Sequence, residues 1–201
     1  MLRVTIDWLV TILGAILIVL AIKQWVINPY RIPSSSMEPT LNCAAPGEGC
    51  LAGGGLFDGS DRVLACRICF DVSAPARGEI VVFNTPPRAA IACGTGGVYV
   101  KRLIGLPGET WSEKDGYVYI NGKRLNEPYI QARYRDTLTY PPQKIPAGHY
   151  FMMGDNRMGS CDSRRWGTVP RSDLIGKVIA TYWPPARISI QAVVERLASF
   201  L

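Results

Sequence analysis

Histidine is nearly absent from this chain: a single one, His149, occurs in 201 residues. It follows the turn Pro146-Ala147-Gly148 and begins a strand-like run, so it reads as structural, and a histidine-based nucleophile pair has no other base to draw on. A Lys/Arg stripe is also missing. The 22 basic and 16 acidic residues are scattered and leave a formal charge of +6, which excludes nucleic acid as the expected partner and suits anionic lipid headgroups better. No helix-period run of convincing length lies between the N-terminal segment and Ile188, which excludes a helical bundle. Internal repeats are absent too. No small-x-small site follows the first apolar run, which argues against a cleaved signal peptide and for a retained anchor.

That apolar run is the first positive feature. Trp8 to Ile22 carries no charge, and with Trp25, Val26 and Ile27 it reaches about 20 residues, enough to cross a bilayer as one helix. Trp8 and Trp25 sit where interfacial aromatic belts form, and Lys23 can snorkel. The expected organisation is a short tail over 1–6, a transmembrane anchor over 7–27, and a β-rich domain over 28–201 with a Cys/Gly-rich insertion at about 42–60. Charge bias gives only a weak lean toward an inside N-terminus.

Short strand-like runs follow the insertion: Arg62 to Phe70, Glu79 to Phe83, Val98 to Ile104, Gly116 to Ile120, Tyr150 to Met153 and Lys177 to Tyr182. Asn121-Gly122 is a strong hairpin turn signal. With 20 Gly and 15 Pro in the chain, the fold class is mostly β, with antiparallel sheets in a barrel- or sandwich-like domain behind one N-terminal transmembrane helix. Apolar residues at Ile190, Val193, Val194, Leu197 and Leu201 suit a short amphipathic helix at the end. The six cysteines, Cys43, Cys50, Cys66, Cys69, Cys93 and Cys161, form an even set compatible with disulfides. Cys66 and Cys69 lie in one strand-like run, and an unbroken strand would hold them roughly 10 Å apart, too far to bond each other. A zinc site from Cys43, Cys50, Cys66 and Cys69 would have irregular spacing, and no metal is expected.

Three stretches carry chemistry. In Pro33-Ser34-Ser35-Ser36-Met37-Glu38-Pro39-Thr40-Leu41 two prolines favour extended backbone around Ser36, a candidate nucleophile, and an extended ribbon would put the Ser34 hydroxyl on the same face. The bland alternative is a Ser/Pro linker. Lys101 stands in Val98-Tyr99-Val100-Lys101-Arg102-Leu103-Ile104, the most apolar strand, where burial would lower its pKa and make a neutral amine a base. Its bland alternative is an edge-strand lysine that blunts aggregation. The third stretch runs from Gly154 to Gly167. In it Asp155 and Asp162 stand among Arg157, Arg164 and Arg165, and an Asp162–Arg164 pair could brace Ser160 toward the lysine; otherwise it is a charged surface turn.

Together these stretches resemble a known family. Ser36-Met37-Glu38-Pro39-Thr40-Leu41, then Tyr99-Val100-Lys101-Arg102 with Gly105-Leu106-Pro107-Gly108, then Gly154-Asp155-Asn156-Arg157 through Asp162-Ser163-Arg164, are similar to the three signature boxes of bacterial type I signal peptidases, in the family's order. The resemblance runs from the anchor to about Trp183. It implies a membrane-anchored serine-lysine endopeptidase that cleaves signal peptides from exported preproteins after small-x-small sites, without a cofactor. By that likeness Ser36 is acylated, Lys101 is the general base, Ser34 joins the Ser36 N–H in the oxyanion hole, and Ser160 orients Lys101, with Asp155, Asp162 and Arg164 in support. Tyr30, Ile32, Pro33, Met37, Leu41, Tyr99 and Val100 match positions that line the pockets for small residues. The implied partners are preprotein signal peptides, the lipid bilayer and the protein-export machinery. The implied location is the bacterial inner membrane, single-pass, with the β domain on its outer side.

The sequence departs from the pattern at Met158-Gly159, at Glu109 and in the length of the Cys-rich loop. Two rivals stand beside this reading. One is a related processing protease of conjugation, pilin-type or mitochondrial inner-membrane kind; the other is a non-catalytic, membrane-tethered, Cys-rich metal-binding module.

Overall fold

The computed structural model describes residues 2–43 and 59–190. Helix α1, Leu2–Trp25, is built from the long apolar run, and its stretch Thr5–Lys23 is long and apolar enough to cross a membrane, with none of it buried against the rest of the protein. The helix stops earlier than the expected 7–27 anchor. Pro29 biases Asn28 to extended backbone and cannot itself extend a helix, so Ile27 already belongs to strand β1, Ile27–Arg31.

The chain then runs through short strands with three short helices among them: β2 (Arg62–Cys66), α2 (Cys69–Val72), β3 (Ile80–Asn84), α3 (Pro87–Cys93), β4 (Val98–Gly105), β5 (Thr110–Lys114), β6 (Tyr117–Ile120), β7 (Lys123–Arg124), β8 (Tyr140–Lys144), β9 (His149–Met153), α4 (Ser163–Trp166), β10 (Val169–Pro170), β11 (Leu174–Trp183) and β12 (Ser189–Ile190). One sheet runs β1-β2-β11-β3-β4-β9-β10 with β12 on β11, and a second runs β7-β6-β5-β8. Every pairing is antiparallel. The mostly β reading therefore holds. So does the hairpin at Asn121-Gly122, where both residues take the positive φ such a turn needs, 51° and 77°.

Side chains alternating along the strands fill three linked cores. Phe83, Leu103, Met152 and Trp166 meet in one, Met37, Leu41, Val63 and Val82 in another. Between the sheets Trp111 stacks on Phe151 at 4.2 Å beside Ile104 and Met153. Burying side chains of this size contributes about 1.5–3 kcal/mol each, and Trp111→Ala would open the largest hole.

Three expectations can be compared with the structure, and two of them are corrected. The run Arg62 to Phe70 is not one strand: β2 ends at Cys66, and Ile68 turns helical (φ −68°, ψ −13°) to start α2. That turn brings the Cys66 and Cys69 Cα atoms to 5.5 Å, and they form a disulfide, which the unbroken-strand argument had excluded. It also takes two of the four thiolates the zinc reading required. Second, and in keeping with the expectation that no helix-period run of convincing length lies before Ile188, the helices α2, α3 and α4 are only four, seven and four residues long. Third, Ser189–Ile190 is a strand, and the amphipathic tail expected beyond it lies outside the described residues, as does most of the insertion with Cys50.

Candidate active site

Lys101 projects from β4, which pairs with β3 through Val81↔Lys101 and, from Arg102 onward, with β9. β4 as a whole is therefore an inner strand of the sheet, but at Lys101 only the β3 side is paired, and the side chain is only 3% exposed. Burial lowers its pKa from 10.5 to about 8, against the pull of Asp162 and Asp155 and with a push from Arg164. Its Nζ is hydrogen-bonded to Ser36 Oγ and lies 5.7 Å from the centre of the Tyr99 ring, two residues back on the same face.

Ser36 reaches this lysine on a 3-10 turn, Ser35–Met37, and not on the extended ribbon expected; only Ser34 before it is extended (φ −135°, ψ 157°). The expected proximity survives by another route, with Ser34 Oγ 3.2 Å from Ser36 Oγ. Ser36 is 9% exposed.

The segment after β9 clamps this turn. The Asn156 N–H donates to Ser36 O at 3.1 Å and its side-chain amide to Ser35 O at 3.2 Å. Gly154 passes so close that a Cβ there would collide with Ser36 O and Ser160 Oγ, so only glycine fits. Asp155, fully buried, accepts from Arg102 Nε at 2.8 Å and Nη2 at 2.6 Å and from Thr40 Oγ1 at 2.5 Å. Asp162 caps α4 by accepting from the Arg164 N–H at 3.2 Å, takes the Gly154 N–H at 3.0 Å, and holds the Arg164 guanidinium through two bonds of 2.9 Å. Burial pushes the Asp162 carboxyl up, but Arg164, the Gly154 N–H and Lys101 together outweigh it and hold the group below the ordinary carboxylate range.

Ser160 lies where the third stretch meets the site, yet its buried Oγ makes no hydrogen bond among the described residues, including none to Lys101. Tyr30, Ile32, Pro33, Met37, Tyr99 and Val100 do line one groove of about 500 Å³ together with Ser34, Ser36 and Lys101. Leu41 does not. It is fully buried in the core behind Met37. Sequence reasoning missed Gly154, Asn156, Thr40 and Arg102 as supports. It also missed Cys93, Thr95 and Cys161 on the groove wall; an Asp-Asn pair directly after an apolar strand was the one signal for the clamp. His149 is remote from this chemistry, its Nδ1 3.1 Å from Ala147 O. Among the described residues no cluster of three or more His, Cys, Asp or Glu could hold a metal ion.

Comparison with known proteins gives this arrangement a family. The family model described as signal peptidase, peptidase S26, matches residues 5–183. The chain is 38% identical over 180 residues to a probable signal peptidase I-2 of Synechocystis sp., covering 90% of this chain and 74% of that protein. It is 33% identical over 192 residues to signal peptidase I P of Bacillus subtilis subsp. natto, covering 91% of each. A crystal structure of a signal peptidase I from Enterococcus faecalis is 33% identical, with a TM-score of 0.43, over 52% of this chain and 97% of that one. Most of the chain is thus spanned both by the family model and by relatives at this identity, and the chain belongs to the signal peptidase family, peptidase S26.

Proposed function

We propose that this protein is a membrane-anchored serine endopeptidase that cleaves signal peptides from preproteins through a Ser36–Lys101 dyad. Family membership supports signal-peptide cleavage. The observation that carries the finer reading is the bond between Ser36 Oγ and a buried Lys101 whose pKa falls to about 8. At pH 7 about one-tenth of such an amine is neutral, and above pH 8 most of it is. When Lys101 is charged its N–H donates to Ser36 Oγ; when it is neutral, the Ser36 hydroxyl donates to the Nζ lone pair and can be deprotonated as it attacks.

The end of β1 with Ile32 and Pro33, and the first half of β4, bound the groove. Because β9 pairs with β4 only from Arg102 onward, Val98–Lys101 keeps a free edge on which an extended peptide can add as a strand. Attack by Ser36 Oγ on the scissile carbonyl forms a tetrahedral oxyanion, and the Ser36 N–H and the Ser34 hydroxyl are the donors nearest to it, a role worth about 2.7–4 kcal/mol per donor. Lys101 passes its proton to the leaving amine, an acyl-Ser36 ester remains, and neutral Lys101 then activates water to hydrolyse it. Ser160, with its uncommitted hydroxyl beside Gly154, is the group that can orient Lys101 once Ser36 is acylated. The helix Thr5–Lys23 anchors the site in the bacterial inner membrane, with the β domain on the outer side where cleavage sites emerge, and the export machinery is the partner that would deliver them. Anchoring enzyme and substrate in one bilayer raises their effective concentration.

The test is cleavage of a preprotein carrying an Ala-x-Ala site by detergent-solubilised protein, with the cut mapped by mass. Wild type should cut after the second alanine, Ser36→Ala and Lys101→Ala should fold and be inactive, and wild-type kcat/KM should climb about tenfold per pH unit up to about pH 8 and then level off. A flat profile, or equal cleavage by the variants, would remove the dyad.

A further inference from the structure

Between β3 and β4 the chain makes an excursion over residues 86–97 that contains α3. It is closed at its base by Thr85 N–H to Gly97 O at 2.8 Å and Gly97 N–H to Thr85 Oγ1 at 2.9 Å. Only Ala89 in this arch is buried, while Ile91 is 88% exposed. Apolar packing that slight does not offset the entropy of fixing a dozen residues. Yet the arch supplies Cys93, Thr95 and Gly96 to the wall of the groove that also contains Ser36 and Lys101. Its only covalent tie among the described residues is a disulfide from Cys93, at the end of α3, to Cys161, beside Ser160 and also on the groove wall, with Cα atoms 6.0 Å apart; beyond it Thr95 is held by exposed hydrogen bonds to the Tyr99 hydroxyl at 2.7 and 3.0 Å.

We propose that the Cys93–Cys161 disulfide is a latch that holds the 86–97 arch as a substrate-contacting wall of the groove, so that the thiol–disulfide state of this pair sets affinity for the peptide. The proposal rests on the peptidase reading above. Opening the latch needs a dithiol reductant. One thiolate attacks a sulfur of the pair, the S–S bond breaks, the mixed disulfide is displaced by the second thiolate, and the products are two protein thiols and a cyclic oxidised dithiol. The bonded state fixes Cys93, Thr95 and Gly96 before substrate arrives; the open state makes each binding event order them anew. The Ser36 turn is held by Asn156 and Lys101 is placed by the pairing of β4 with β3, bonds in which neither Cys93 nor Cys161 takes part.

The experiment uses the full chain in detergent, with Cys93→Ala/Cys161→Ala and, as a control for the other described disulfide, Cys66→Ala/Cys69→Ala. Preprotein cleavage is measured with and without dithiothreitol, and nicking after Arg88 in the arch by trypsin is followed by mass. Reduction of wild type and of Cys66→Ala/Cys69→Ala should raise KM about three- to tenfold, leave kcat and its pH profile unchanged, and speed nicking after Arg88, all reversed by reoxidation. Cys93→Ala/Cys161→Ala should show the raised KM and fast nicking from the start and not respond to dithiothreitol. Unchanged KM and nicking in that variant would overturn the latch, as would loss of kcat with KM intact, which would mark a staple for the fold. No cleavage by oxidised wild type, with nicking still redox-dependent, would instead remove the peptidase reading and leave a redox-tied arch without a substrate role.

Discussion

Lys101 and Arg102 are neighbours on one strand, both basic and both nearly buried, at 3% and 5% exposure, and the two faces of β4 treat them in opposite ways. Arg102 meets the Asp155 carboxylate through two bonds, donates to Gly78 O at 2.7 Å, and lies 3.9 Å from the centre of the Tyr129 ring. Among the described residues Lys101 has no carboxylate in hydrogen-bond reach, only a hydroxyl and an aromatic face. A buried charge with full compensation stays charged and holds elements together; one without it gives up its proton. The same strand thereby carries a structural cation and a candidate base one residue apart. Arginine suits the first role because it cannot be deprotonated in a protein, and lysine the second because it can.

The most severe way to break this contrast is to put the permanent cation on the reactive face. Lys101→Arg should fold less well, and whatever folds should lose kcat/KM by about 10³-fold or more, because no neutral base is available. Cleavage assays normalised to folded protein by circular dichroism would check it, and more than one-tenth of wild-type activity would remove Lys101 as base. The converse on the other face is Asp155→Ala. It strands the Arg102 guanidinium without its carboxylate and should destabilise the domain by about 3–5 kcal/mol in chemical denaturation, while any folded fraction keeps the Lys101 base and shows a pH profile moved to lower pH, because Asp155 no longer holds the Lys101 pKa up.

How legible this was in the sequence differs between the two faces. Lys101 stood out as the one lysine within an apolar strand, and Ser36 as a serine placed just beyond a membrane-length run, so the pair could be read from local pattern. Arg102 looked like its equal in sequence. Its partners Asp155 and Thr40 are 53 and 62 residues away, and a side chain's face on a strand says nothing of what tertiary packing brings to it. For the same reason the β class and the Asn121-Gly122 hairpin were readable, whereas the Cys66–Cys69 bond was not. It depends on the strand stopping at Cys66, a boundary that the apolar run through Phe70 conceals. The 3-10 turn at Ser36 was hidden likewise, since the flanking prolines argue for extension and the carbonyls that fix the turn are held by Asn156, 120 residues on.

A milder variant sharpens the contrast in stability. With its folded pKa near 8 against 10.5 unfolded, Lys101 binds its proton less readily in the native state, so at pH 7 the fold bears the cost of charging a buried amine. Lys101→Met should therefore be inactive but more stable at pH 7, by about 1–3 kcal/mol. Wild-type stability gains from this group as pH rises from about 8 to 10.5, so the gap should close across that window. A gap that is constant from pH 7 to 10 would mean that Lys101 is not desolvated as described.

Glu113 supplies an intermediate case. It lies on β5, is 1% exposed, has Arg164 at 3.7 Å, and neither of its carboxylate oxygens takes a hydrogen bond among the described residues. A cation is near but the compensation is incomplete, and burial raises its pKa from 4.5 to about 7 in spite of Arg164. The native state binds this proton more tightly than the unfolded chain, so stability falls as pH climbs from about 4.5 to 7, and the loss is complete above 7. Glutamine has the same shape and no charge. Glu113→Gln should leave stability unchanged near pH 4 and raise it by about 1 kcal/mol at pH 8, the gain being held small by the unpartnered amide and the lost attraction to Arg164. Denaturation at the two pH values measures it. If the variant is instead less stable at pH 8, the Glu113 carboxylate belongs with Asp155 as a compensating partner, and distance to the cation matters more than hydrogen bonding in deciding which buried charges this fold keeps.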